Sequence, residues 1–240
     1  MNTLLAGLAL SLLLLQGAEN KVSFKSEDGV LITADKYIVN QEYPYIILFH
    51  QAGSSRGEYK EIAEKLMKLR YNCLAVDLRS GDVSNYVNNE TAANARESSK
   101  PARFLDARQD IRSAIDFAYS LNPREVILFG SSYSASLVML EGEENPHVKA
   151  VIAFSPGEYF GDDLRMEASL ESISKPLFIA ATKREHPYIM QMMSKHPEDS
   201  YTLFQPEGEG VHGARALWDD NASKNEYWLN LLLFINNLNK

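Results

Sequence analysis

Val126-Ile-Leu-Phe-Gly130-Ser131-Ser132-Tyr133-Ser134-Ala-Ser-Leu-Val-Met-Leu140 is the stretch that decides how this chain folds. Four apolar residues read as a strand. The strand breaks at Gly-x-Ser-x-Ser, and the apolar run that resumes after it reads as a helix. A serine at such a strand-turn-helix junction is lifted out on a strained elbow, and small residues two before and two after it let the backbone pass closely. Ser132 is therefore the candidate nucleophile. A Ser-rich helix cap is the alternative reading of the same residues.

The flanking sequence repeats the strand-then-helix pattern. Short continuous apolar runs over 45–49, 73–78, 126–129, 150–154, 177–181 and 201–204 have the character of strands buried on both faces of a mostly parallel sheet. Between them Tyr59, Ile62, Ala63, Leu66 and Leu69 recur at helical spacing, as do Ile111, Ala114, Ile115 and Ala118. Trp228, Leu231, Leu232 and Ile235 do so near the C-terminus. Ahead of all these, runs from Val22 and Val30 are joined by Glu27-Asp28-Gly29, a hairpin signal. The pattern predicts an α/β fold: a three-layer α/β/α sandwich with a mostly parallel sheet and an N-terminal antiparallel hairpin. Loops then gather at the strands' carboxyl ends, where ligands bind in such sheets. Two connections there are long, 79–101 and 155–175, and are expected to form a small lid or pocket wall.

The 240 residues are 45% hydrophobic and 23% charged, the balance of one globular domain, placed over 19–240. A formal net charge of -8 and the lack of any Lys/Arg cluster argue against a nucleic-acid partner. Residues 4–15 are apolar apart from Gly7 and Ser11, and Gly17 and Ala18 precede the first charge at Glu19. That is the shape of a signal peptide over 1–18, with an uncleaved anchor as the alternative, and it predicts a secreted or periplasmic protein without further membrane insertion. The single cysteine, Cys73, lies in an apolar run and reads as a core thiol. No spaced His/Cys cluster, phosphate loop or dinucleotide fingerprint is present, so the chemistry is expected to need neither metal nor cofactor.

From about Val22 to Lys240 the chain resembles the α/β-hydrolase superfamily, and especially its small lidless members similar to dienelactone hydrolases and related esterases. It departs from the usual Gly-x-Ser-x-Gly at Ser134. The resemblance implies the chain order nucleophile, acid, histidine, which His212 fits as general base in Glu209-Gly-Val-His212-Gly-Ala. Glu185, in Thr182-Lys-Arg-Glu185-His-Pro, stands where the acid would be, with Asp162 or Asp163 as fallback. The oxyanion donors implied are the backbone N–H groups of Gln51 and Tyr133. His147 and His196 sit beside prolines in surface turns and His186 falls too early, whereas His50 is expected to order the loop at Gln51. Arg79 and Arg56 read either as pocket cations for an anionic substrate or as ion pairs holding loops. Asn89-Glu-Thr and Asn221-Ala-Ser match glycosylation sequons, and Met190, Met192 and Met193 read as helix packing.

Together these features predict a serine hydrolase that cleaves a carboxylic ester or related acyl bond of a small molecule through an acyl-enzyme. The rival is a non-catalytic ligand-binding protein on the same fold.

Overall fold

The structure, a computed structural model, describes residues 20–238. The leader expected over 1–18 lies outside the described residues, and among those described no helix is long and apolar enough to cross a membrane.

Strands β1 (Lys21–Lys25) and β2 (Leu31–Tyr37) form the expected hairpin, turning at Gly29 with φ 89°. There follow β3 (Tyr45–Phe49), helix α1 (Lys60–Met67), β4 (Asn72–Val76) and a small hairpin of β5 (Val83–Ser84) and β6 (Val87–Asn88). Next come α2 (Glu90–Glu97), α3 (Arg108–Leu121), β7 (Val126–Ser131), α4 (Tyr133–Glu144), β8 (Val148–Phe154) and α5 (Met166–Ser169). The chain closes with β9 (Leu177–Ala180), α6 (His186–Met192), β10 (Thr202–Phe204) and α7 (Lys224–Asn237). The main sheet has eight strands in the order β1-β2-β4-β3-β7-β8-β9-β10, parallel from β4 through β10 and antiparallel at the β1 and β2 edge. The expected sandwich is the one observed.

Alternation along the central strands explains why their sequences are apolar throughout. Ile47 and Phe49 of β3, with Val126 and Leu128 of β7, enter one core with α3 and α4. Ile46, Leu48, Ile127 and Phe129 point the other way, into a core with α1 and α7. Both faces are covered, so neither register can carry polar side chains. Cys73 belongs to the second core, where burial pushes its thiol well above the usual range.

Connection 79–101 is not an open wall. It holds the β5–β6 hairpin and α2, which the sequence reading left out because two-residue strands carry no periodicity. Asn89 caps α2 by accepting from Ala92 N–H at 2.7 Å, and its amide donates to Leu78 O at 2.9 Å. Asn221 donates to Ala216 O at 2.5 Å. Both sequon asparagines are buried, with no room for a glycan. Arg79 takes the loop-holding alternative. Its guanidinium, fully buried, reaches Asp110 at 2.7 Å and Asp28 at 2.9 Å, tying the end of β4 to α3 and to the N-terminal hairpin turn. Arg56 likewise pairs with Asp77 at 2.6 Å.

Removing one member of a buried ion pair strands the other in a medium that solvates it poorly. Asp110→Ala should therefore lower the unfolding free energy by about 3–5 kcal/mol in urea titration. A loss below about 1 kcal/mol, typical of exposed pairs, would show that Arg79 does not depend on Asp110.

Candidate active site

Strand β7 ends at Ser131, and Ser132 takes φ 60° and ψ -125° before α4 begins. A left-handed conformation at a non-glycine residue is costly and persists only where its surroundings impose it. Here the Ser132 N–H donates to Phe154 O at 2.8 Å. Gly130 is required because a Cβ there would lie 2.5 Å from Ser134 O and 2.6 Å from Ala135 N. Ser134, where a glycine is usual, is fully buried and satisfied. Its hydroxyl accepts from Ser131 N–H at 2.9 Å and lies 2.7 Å from Phe49 O as donor. A small hydroxyl side chain thus meets the same demand and fastens the elbow to β3.

His212 sits in a loop shaped by glycines on either side. Gly210 and Gly213 have φ 78° and 70°, and a Cβ on them would meet Tyr227 Oη at 2.3 Å and Ser131 Oγ at 2.5 Å. His212 Nδ1 lies 2.5 Å from Glu185 Oε1. An ionised carboxylate only accepts, so Nδ1 carries a proton, and whenever the ring is neutral Nε2 keeps its lone pair. The other oxygen of Glu185 accepts from Ser155 Oγ at 2.7 Å and Thr182 N–H at 2.9 Å. Burial pushes this carboxyl upward, but the His212, Thr182 and Ser155 hydrogen bonds and the charge of His212 outweigh it and leave it below its ordinary value. Asp162 is fully exposed, and Asp163 faces Arg103 at 3.6 Å, so the two fallback acids are not brought to His212.

Two residues outside the sequence expectations complete this cluster. Ser155, at φ 55° just beyond β8, also accepts from Gly213 N–H at 2.9 Å and so links the histidine and acid loops. Tyr159 donates to Ser155 O at 2.8 Å. Burial raises its phenol above the usual range, and hydrogen bonding with Ser132 opposes that shift. A Ser-Pro-Gly turn directly after an apolar run was the only available signal for either.

On the other side of the elbow, His50 is buried. Its Nε2 accepts from Leu78 N–H at 2.8 Å and its Nδ1 donates to Gln51 O at 2.7 Å. It orders the loop, as its position suggested. The Gln51 N–H, however, donates to Glu58 Oε2 at 3.1 Å. The amide expected as a free oxyanion donor is thus engaged by a buried carboxylate. The Tyr133 N–H, first of α4, has no intrahelical acceptor, and its helix dipole favours negative charge beside it. The remaining histidines lie elsewhere: His147 stacks on Tyr119, His186 begins α6, and His196 follows α6 with its backbone N–H on Met193 O at 2.9 Å.

A mostly parallel sheet covered on both faces, entered by an antiparallel hairpin and carrying a strained serine at the end of β7, defines the α/β-hydrolase fold. The sequence profile of the dienelactone hydrolase family matches residues 28–199. The chain belongs to that family and is a hydrolase of the dienelactone hydrolase and esterase type. Among solved structures, the esterase Pf2001 of Pyrococcus furiosus is similar at 18% identity and TM-score 0.65, over 90% of this chain and 91% of that one. Dienelactone hydrolase from Anabaena variabilis aligns at 16% identity and TM-score 0.62, over 90% and 97% of the two chains. The α/β hydrolase GrgF from Penicillium aligns at 15% and 0.62, over 89% and 96%. No curated protein matches the sequence.

A folded-state pKa below the unfolded one contributes stability above the unfolded value and loses it as pH falls through the folded value. Wild type should therefore be more stable than Glu185→Gln above the ordinary glutamate value of 4.5. The gap should close as pH falls further below it, measured by urea unfolding across pH. A gap independent of pH would show that the carboxylate's contacts do not favour its ionised form.

Proposed function

We propose that this hydrolase cleaves a carboxylic ester by acyl transfer through Ser132. The observation that carries the reading is the 2.5 Å contact between His212 Nδ1 and Glu185 Oε1, in a loop that two obligatory glycines bend toward the Ser132 elbow. With its proton fixed on Nδ1, the imidazole offers Nε2 as general base. Glu185 orients the ring and stabilises the imidazolium that forms. Ser132 Oγ attacks the carbonyl carbon as His212 takes its proton. The tetrahedral oxyanion then collapses, the alcohol leaves with the proton from His212, and water repeats the sequence to free the acid.

The Tyr133 N–H supports the developing negative charge. The Gln51 N–H joins it only by exchanging the Glu58 carboxylate, so the Glu58 side chain must give way as the substrate oxygen arrives. The exchange is small, and catalytic hydrogen bonds commonly tighten only once substrate is bound. Export directed by residues 1–18 is part of the same proposal: fractionation of expressing cells should find the full chain outside the cytoplasm and a chain lacking 1–18 within it.

The test is covalent labelling by a fluorophosphonate, read by intact mass. Wild type should gain one adduct, and Ser132→Ala and His212→Ala none. Glu185→Ala should lower kcat by on the order of 10⁴-fold. An unlabelled wild type would favour a non-catalytic ligand-binding protein on the same fold.

A further inference from the structure

A cavity of about 600 Å³ lies beneath the connection that follows β8, against α6. This is within the roughly 300–1,000 Å³ range of small-molecule sites. Tyr159, Tyr188, Ile189 and Met192 give it an apolar wall, and Glu185, which holds His212, also lines it. Ser132 is not on its surface. Tyr159 links the two regions: its ring lines the cavity and its hydroxyl donates to the carbonyl of Ser155, whose side chain holds Glu185.

The position of Tyr159 is built rather than incidental. Ser136, one helical turn beyond Ser132, accepts from Gly157 N–H at 2.9 Å and lies 2.8 Å from Gly157 O as donor. This holds the Tyr159 loop against α4. The Tyr159 ring passes so close to Gly157 that a Cβ there would sit 3.3 Å from it, and the phenol is tied down by Ser155 O.

The charged groups around the cavity are already matched. Glu158 accepts the N–H groups of Met166 and Glu167 at 2.8 and 3.0 Å. Lys195 lies 3.4 Å from Glu167, Arg165 lies 3.9 Å from Asp162, and Glu185 holds His212. The Lys195 and Arg165 pairs are exposed and weak, so the main gain the cavity offers a ligand is apolar surface buried against Tyr159, Ile189 and Met192.

Resting on the ester-hydrolase reading above, we propose that this cavity is the acyl subsite. It takes a neutral alkanoyl chain of medium length, and Tyr159 is the specificity-determining wall between chain and nucleophile. The acyl carbonyl stays at Ser132 while its chain passes along the Tyr159 ring toward α6.

The experiment is a chain-length series of p-nitrophenyl esters on the full protein, beside ethyl and octyl acetate. Wild type should favour octanoate over acetate in kcat/KM by at least about tenfold, because each methylene placed in an apolar pocket discriminates measurably. Ala168, on the exposed rim of the cavity, offers a way to fill it. Ala168→Trp should lower the octanoate-to-acetate ratio at least about tenfold and leave the octyl-to-ethyl acetate ratio in place. Tyr159→Ala should collapse the first ratio and Tyr159→Phe, which keeps the ring, should retain it.

Equal kcat/KM along the series in a wild type that takes the fluorophosphonate would overturn the subsite alone. That result needs no variant to fold. A fall in the octyl-to-ethyl acetate ratio with Ala168→Trp would overturn it too, by making the cavity the alcohol site. A wild type that neither labels nor turns over any ester would overturn the hydrolase reading and the subsite with it.

Discussion

The left-handed backbone of Ser132 is the constraint around which this molecule is arranged. An L-residue at φ 60° and ψ -125° costs on the order of 1–3 kcal/mol, and the fold must hold it there. Three neighbours do so from different directions. Phe154 O receives its N–H from β8, the bare Cα of Gly130 lets α4 fold back over β7, and the Ser134 hydroxyl fastens the turn to the end of β3. These contacts exist only when β3, β7 and β8 lie side by side in parallel with matched ends. Strand order and serine geometry are therefore one requirement seen at two scales.

The next strand repeats the device. Ser155 follows β8 at φ 55°, and its hydroxyl joins Glu185 to Gly213. Two adjacent strands thus each lead into a serine of positive φ, one presenting Ser132 and the other anchoring the acid that holds His212. An acid on a mobile loop would let the imidazole sample both tautomers and many orientations. Here the Glu185 carboxylate is fixed by Thr182 N–H and Ser155 Oγ before it reaches the ring. The rim is organised by polar contacts that owe nothing to substrate, which is the condition for electrostatic preorganisation.

Much of this was legible in the sequence, for identifiable reasons. Strands buried on both faces leave continuous apolar runs, so β3, β7, β8 and β9 announce themselves within a residue or two. Glu185 was singled out because it follows such a run by a few residues, where the family resemblance puts an acid, and the structure sets its carboxylate against His212 Nδ1. What stayed hidden depends on partners far apart in the chain. Nothing local to Gln51 shows that Glu58 will take its amide, nor does anything local to Ser155 show that its hydroxyl will meet Glu185 and Gly213. Arg79 and Arg56 carried two readings until their carboxylate partners, from three separate segments, were placed.

Those arginines also bear on how the site works. The loops around Ser132 begin where β3 and β4 end, and each is held by a buried guanidinium: Arg56 on Asp77, Arg79 on Asp110 and Asp28. Such pairs add little net stability, since desolvation offsets most of their attraction, but they tolerate few alternative arrangements. The β3 loop therefore cannot drift as a whole, and the give needed to free the Gln51 amide falls on the single contact with Glu58. That carboxylate has one oxygen on the amide and the other buried without a partner. A buried acceptor in that state gains from any donor that reaches it. In the proposed mechanism the exchange at Gln51 is therefore confined to one side chain poised between two hydrogen-bonding arrangements, while the strands and ion pairs around it stay in place.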